Sequence, residues 1–152
     1  MKSSTCSDRI GAHLQGLLID LQAMINPEGM SLAERQQFVD DFGLDAPPDD
    51  EDFASVALDT FYEYGLDFGW IAPGTFGDQP QGYYRYQLSW GGPSDEFRFF
   101  VNPDLSCWRV EYWFLDWNDS AHVEIQGDDR DLLLQVWNAL RPPSFSERKE
   151  NA

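Results

Sequence analysis

The sequence predicts an α+β domain in which helices come first, an antiparallel three- to four-stranded meander sheet follows, and one more helix closes the chain. Three observations carry this prediction. Apolar residues recur at helical spacing between Asp8 and Tyr64, the period falls to two at Tyr83, and it returns to helical between Asp129 and Leu140. Helices and strands that are segregated along a chain, rather than alternating, belong to α+β architectures.

Ile10, Leu14, Leu17, Leu18 and Leu21 place a first helix from Asp8 to about Ile25, where Asn26-Pro27 stops it. Ser31-Leu-Ala-Glu34 has the pattern of a capping box, so a second helix should run from Leu32 to Phe42, with Gly43 after its end. Pro47-Pro48-Asp49-Asp50 opens a third. Its apolar stripe is Phe53, Val56, Ala57, Phe61 and Tyr64, and Gly65 supplies the stop.

The segment Gly69 to Gly82 holds four Gly and two Pro among 14 residues and reads as a connection. Beyond it Tyr84, Tyr86, Leu88 and Trp90 alternate with Arg85, Gln87 and Ser89. After the turn Gly91-Gly92-Pro93-Ser94, Phe97, Phe99 and Val101 alternate with Glu96, Arg98 and Phe100. Asn102-Pro103-Asp104 turns the chain again, and Trp108, Val110, Tyr112 and Phe114 alternate with Arg109, Glu111 and Trp113. A short fourth strand is expected from His122 to Gln126. Leu132, Leu133, Val136, Trp137 and Leu140 form the stripe of the last helix, which Arg141-Pro142-Pro143 ends. These elements make one domain over residues 1–142, with a helical part at 8–66, the connection at 69–82, and the sheet and last helix at 83–140. Residues 143–152 read as a flexible tail.

A chain of 152 residues can bury roughly 70% of its unfolded surface without metal or disulfide support. Aromatic residues make up 15% of it, including 6 Trp, which excludes a disordered acidic chain. The formal net charge is -17, from 27 acids against 10 bases. Such a charge repels nucleic acid and anionic membranes and speeds encounter with basic partners. The chain has no apolar run of membrane-spanning length, and MKSSTCSDR lacks the apolar stretch of a signal peptide, so a cytoplasmic protein is expected. Cys6 lies in an N-terminal stretch expected to fray; it could pair with Cys107, but the count does not require this.

Signals for chemistry are sparse. The two histidines, His13 and His122, have no nucleophile marked near them, and neither a G-x-S-x-G elbow nor a phosphate-binding glycine loop occurs. Asp116-Trp-Asn118-Asp-Ser120 begins like a calcium loop but has Ala121 where the sharp turn needs Gly, and Gly127 where the bidentate Glu belongs. No catalytic residue, metal or cofactor is assigned.

Charge placement is more informative. The 49 residues from Gln36 to Tyr84 contain no Lys or Arg, and 11 acids fall between Asp40 and Asp78. Duplex DNA is a dense array of negative charge held by Lys and Arg, so a rigid array of carboxylates could occupy a DNA-binding groove. The competing reading is that the charge only confers solubility. Acids and bases nearly balance between Tyr83 and Val101, and this unevenness favours a dedicated acidic face. On the polar side of the sheet, Arg85, Glu96, Arg98, Arg109 and Glu111 could form cross-strand pairs. Phe100, Trp113, Leu115 and Trp117 share that side by parity, which leaves it open whether the face is core or interface.

The stretches YRYQLSWGGPSDEFRFF (Tyr84 to Phe100) and VEYWFLDWND (Val110 to Asp119) resemble short acidic proteins of conjugative plasmids and integrative elements, some of which neighbour antirestriction or anti-CRISPR genes. This resemblance covers the C-terminal half, holds no catalytic motif and carries over no functional residue. It implies a context, a mobile element facing host nucleases, in which DNA mimicry is one known strategy.

The expectation is therefore a non-enzymatic inhibitor of a bacterial defence complex, an anti-CRISPR or antirestriction protein with a DNA-mimic surface. Asp40, Asp41, Asp45, Asp49, Asp50, Glu51, Asp52, Asp59 and Glu63 would meet a basic nucleic-acid-binding protein or effector complex. The alternative is an immunity protein or antitoxin that neutralises a basic toxin or nuclease. Direct binding to nucleic acid or membrane is not expected, and the sequence leaves the oligomeric state open.

Overall fold

The computed structural model describes residues 5–91 and 93–142. The expected tail at 143–152, both lysines and Gly92 of the first turn lie outside the described residues. The elements run α1 (Cys6–Ile25), α2 (Leu32–Phe42), α3 (Phe53–Tyr64), β1 (Asp67–Ile71), β2 (Tyr83–Ser89), β3 (Ser94–Val101), β4 (Cys107–Asp116), β5 (Asp119–Glu124) and α4 (Gly127–Leu140), with a 3-10 turn at Pro27–Gly29. The fold is α+β: helices, then a five-stranded antiparallel meander in the order β1-β2-β3-β4-β5, then a last helix. Two compact units divide the chain, one comprising residues up to Gly11 together with those from Gly65, the other Ala12–Tyr64.

In the helical unit local signals behave as read. Ser31 and Glu34 form the capping box, each accepting the other's backbone N–H at 3.1 Å, and Gly43 closes α2 in the left-handed conformation at φ 61°. Phe53, Ala57 and Phe61 are the buried positions of α3, one helical turn apart. Phe38 of α2 meets Phe53 edge to face at 5.9 Å, and Phe42 meets Tyr64 at 6.1 Å. The Tyr64 hydroxyl donates to Asp20 of α1 at 2.8 Å.

In the sheet unit α4 covers the aromatic face. Trp137 is 2% exposed and stacks on Phe99 at 5.5 Å, with Tyr84 at 5.2 Å and Phe68 at 6.1 Å. Its indole N–H donates to Leu105 O at 3.0 Å. At Gly65 a Cβ would stand 2.1 Å from Cε1 of the buried Tyr86 ring, so glycine is needed there for clearance. Asp95 is buried on this same face but not orphaned: its carboxylate accepts the hydroxyls of Ser89 and, at 2.6 Å, Tyr112.

Four sequence expectations are corrected. Strand β1 lies partly in the supposed connection; Asp67 to Ile71 pair with Gln87 to Tyr83 although the segment carries no alternation of its own. Strand β5 begins at Asp119 rather than His122, because Trp117-Asn118 form a two-residue hairpin turn that pairs Asp116 with Asp119. A bulge between Gln87 and Ser89 breaks the period of β2, so Trp90 leaves the apolar face and is 78% exposed. Finally Cys6 is not frayed but fully buried, and both cysteines are free thiols.

Cys6 is ordered because its helix start is fastened to the β4–β5 turn. Thr5 and Asp8 cap α1 reciprocally at 3.1 and 3.2 Å. Asp119 accepts the Cys6 N–H at 2.7 Å, and Arg9 pairs with Asp116 while its guanidinium lies over the Phe114 ring at 5.1 Å. The backbone N–H of Thr5 lowers the Asp8 carboxyl below its ordinary value, and that of Cys6 does the same to Asp119. Depressed folded-state values mean that below the usual aspartate value of about 3.9 the unfolded chain binds more protons. The stability these contacts contribute is therefore complete above that value and is lost as pH falls through the two folded-state values. Asp119→Asn should make acid unfolding less steep in this range; an unchanged pH profile of unfolding would show that the fastening contributes nothing.

Candidate partner-binding surface

Every residue of the expected acidic set falls in the helical unit. Asp40 and Asp41 lie in the last turn of α2, Asp45 in the following loop, Asp49 to Asp52 before the start of α3, and Asp59 and Glu63 on α3. All are exposed except Asp50, which is half-buried and accepts the Asp52 N–H at 2.9 Å. Asp59 and Glu63 are four apart on one helix face, about 6 Å along the axis. The unit as a whole holds 12 acids and a single Lys or Arg, Arg35.

Arg35 leaves those carboxylates uncompensated. Its guanidinium lies over the Phe53 ring at 4.7 Å and donates to the backbone carbonyls of Pro27 at 3.2 Å and Pro48 at 3.5 Å. The one strong cation of the unit thus serves its core. By contrast the ion pairs of Arg9, Arg98 and Arg109 all lie in the sheet unit.

Position relative to the helix dipoles divides the set. Asp49 to Asp52 precede the N-terminus of α3, where negative charge stabilises a helix, so they have a structural reason to be acidic. Asp40, Asp41 and Glu63 stand at the negative ends of α2 and α3, whose last turns carry no base. Gln36 and Gln37 donate to Asp40 and Asp41 at 2.9 and 2.8 Å, holding both carboxylates in place without neutralising them. Two further acids of the unit serve the fold: Asp20 accepts from Tyr64, and the Ser31 backbone N–H keeps Glu34 below its ordinary value within the capping box.

No protein-family model, curated protein or solved structure matches the chain.

The second face of the sheet is largely covered. Gln87, Glu96, Phe100 and Glu111 are buried, and Arg98 is held between Tyr83 at 4.6 Å and Trp113 at 3.8 Å. The expected cross-strand pairs form mostly along strands instead: Arg98 to Glu96 at 2.8 Å and Arg109 to Glu111 at 2.7 Å, with Arg109 to Glu124 at 2.8 Å the pair that crosses. Arg98 faces Arg85 on one side, where register offers it no carboxylate; on the other it faces Glu111 but pairs with Glu96 and lies over the Trp113 ring. Trp113 also stacks on His122 at 4.1 Å and donates to Glu111 at 2.9 Å. Trp117 does not share this face; it sits in the hairpin turn and is 92% exposed.

An open depression between the β3–β4 turn and α4 is lined by Leu105, Cys107, Trp137, Asn138 and Arg141. Burial pushes the Cys107 thiol up, and the thiol donates to Arg109 O at 3.3 Å, so it carries little thiolate at neutral pH. Among the described residues no cluster of His, Cys, Asp and Glu could hold a metal ion, and no helix is long and apolar enough to cross a membrane.

Proposed function

We propose that the protein is a non-enzymatic inhibitor that presents the α2–α3 carboxylates to a basic nucleic-acid-binding protein, acting in the cytoplasm as a DNA mimic. The specific target we propose is a bacterial defence complex of the CRISPR or restriction kind, the context implied by the resemblance of the sheet segments to mobile-element proteins. One observation supports the reading above all: 12 acids share the helical unit with one arginine whose guanidinium is committed to backbone carbonyls and a ring. Three of those acids, Asp40, Asp41 and Glu63, occupy helix ends where their charge opposes the dipole. Charge kept where the fold is not helped by it is what a binding surface requires.

Pull-down at low salt from the cell that carries the protein, followed by competition with duplex DNA, tests the reading. The captured effector should lose its DNA as the protein is added, with apparent affinity falling steeply as salt rises. Simultaneous binding of protein and DNA at undiminished affinity would end the mimic hypothesis. Recovery of a small cognate toxin in place of a multisubunit effector would establish the immunity-protein alternative.

A further inference from the structure

The meander brings the β2–β3 and β4–β5 turns to the same end of the sheet, and each carries an exposed tryptophan. Trp90 is 78% and Trp117 92% exposed, the two most exposed large apolar residues among those described. The two turns are two strands apart, roughly 10 Å across the sheet. Trp117 further stands at φ 55°, a left-handed position where Gly or Asn is the low-cost choice. A bulky ring held there in solvent contributes nothing to the core.

Charge at this end is negative. Among the described residues, Asp116 and Asp119 flank the β4–β5 turn, Asp8 and Asp67 lie at the same end, and Arg9, the base beside them, is already paired with Asp116. The Cys6 N–H lowers the Asp119 carboxyl below its ordinary value, which favours its ionised form. An indole face is the best aromatic partner for a guanidinium or ammonium group, and neighbouring carboxylates strengthen such a contact.

We propose that Trp90 and Trp117 form a second docking surface, independent of the acidic helices, which clamps Arg or Lys side chains of a basic protein partner. The occupant is a cationic protein segment, whose charge complements the excess of acids among the described residues at this end.

The test uses the intact protein with an acetylated, amidated peptide of alternating Gly and Arg, and as control the same peptide with citrulline for Arg. Indole N–H resonances are followed by NMR at physiological salt. Trp90 and Trp117 should shift saturably with the Arg peptide, more than the half-exposed Trp70 and Trp108, and should not respond to the citrulline peptide. The double variant Trp90→Ala/Trp117→Ala should weaken binding about tenfold. Trp117→Gly, which removes the backbone strain while leaving Trp90 in place, should stay folded and lose part of that affinity. Equal shifts across all exposed indoles, or unchanged affinity in the double variant, would overturn the proposal. So would a free protein that sediments as a dimer and becomes monomeric in the double variant, since a second copy would then cover this end. Neutralising Asp40, Asp41 and Glu63 should leave the indole response intact, so failure of the acidic-helix reading and failure of this one give different results.

Discussion

Replacing Trp137 by Ala should lower the stability of the sheet unit by about 3 to 5 kcal/mol, the largest effect expected of any single substitution here. The side chain is the hub of the layer between α4 and the sheet, touching rings from β1, β2 and β3 at once. Its removal leaves a ring-sized cavity and an unpaired Leu105 carbonyl. Trp137→Phe separates the two contributions: the stack largely survives and the hydrogen bond does not, so its loss should be nearer 1 to 2 kcal/mol. Urea unfolding followed by far-ultraviolet circular dichroism measures both. A Trp137→Ala midpoint equal to that of the parent would mean that α4 does not hold the sheet as described.

Neutralising Asp40, Asp41 and Glu63 together, as Asp40→Asn, Asp41→Asn and Glu63→Gln, should slow association with the basic target at low salt by roughly an order of magnitude. The difference should vanish at molar salt, where the Debye length is about 3 Å. The same triple variant should melt no lower than the parent, and at low salt slightly higher, because it removes like charge from the negative ends of two helices. Asn at positions 40 and 41 can still accept from Gln36 and Gln37. Neutralising Asp49 to Asp52 should do the reverse for stability, since those acids precede the N-terminus of α3. Surface-plasmon association rates and melting curves for both variants check the pair of expectations. A triple variant that melts markedly lower would show that those carboxylates serve the fold, and would remove the main argument for a binding face.

The acidic helices were readable because their signals are local. A capping box spans four residues, a stop glycine is one residue, and an apolar stripe repeats every turn, so α2 and α3 appear where the pattern places them. Their exposed carboxylates were equally legible, since helical periodicity assigns the remaining positions to solvent. Whether those charges help or oppose the fold was not, because it depends on which helix end each one occupies and on where the one arginine points.

The sheet shows the opposite limit. Alternation identified β2, β3 and β4 and their aromatic face, because side chains change sides every residue whatever the partner strand. Strand β1 and the bulge at Leu88 are properties of pairing between segments far apart in the chain, and nothing in DFGWI or in YYRYQLS encodes them alone. The bulge carries Trp90 off the core face, and the two-residue turn after Asp116 sets Trp117 in solvent at the same end. Fold class, charge distribution and the acidic helices thus follow from composition and short-range periodicity. Strand β1, the buried start of α1 and the exposure of Trp90 and Trp117 at one end of the sheet were decided by tertiary structure, because hydrogen-bond register is an agreement between two strands and not a property of either one.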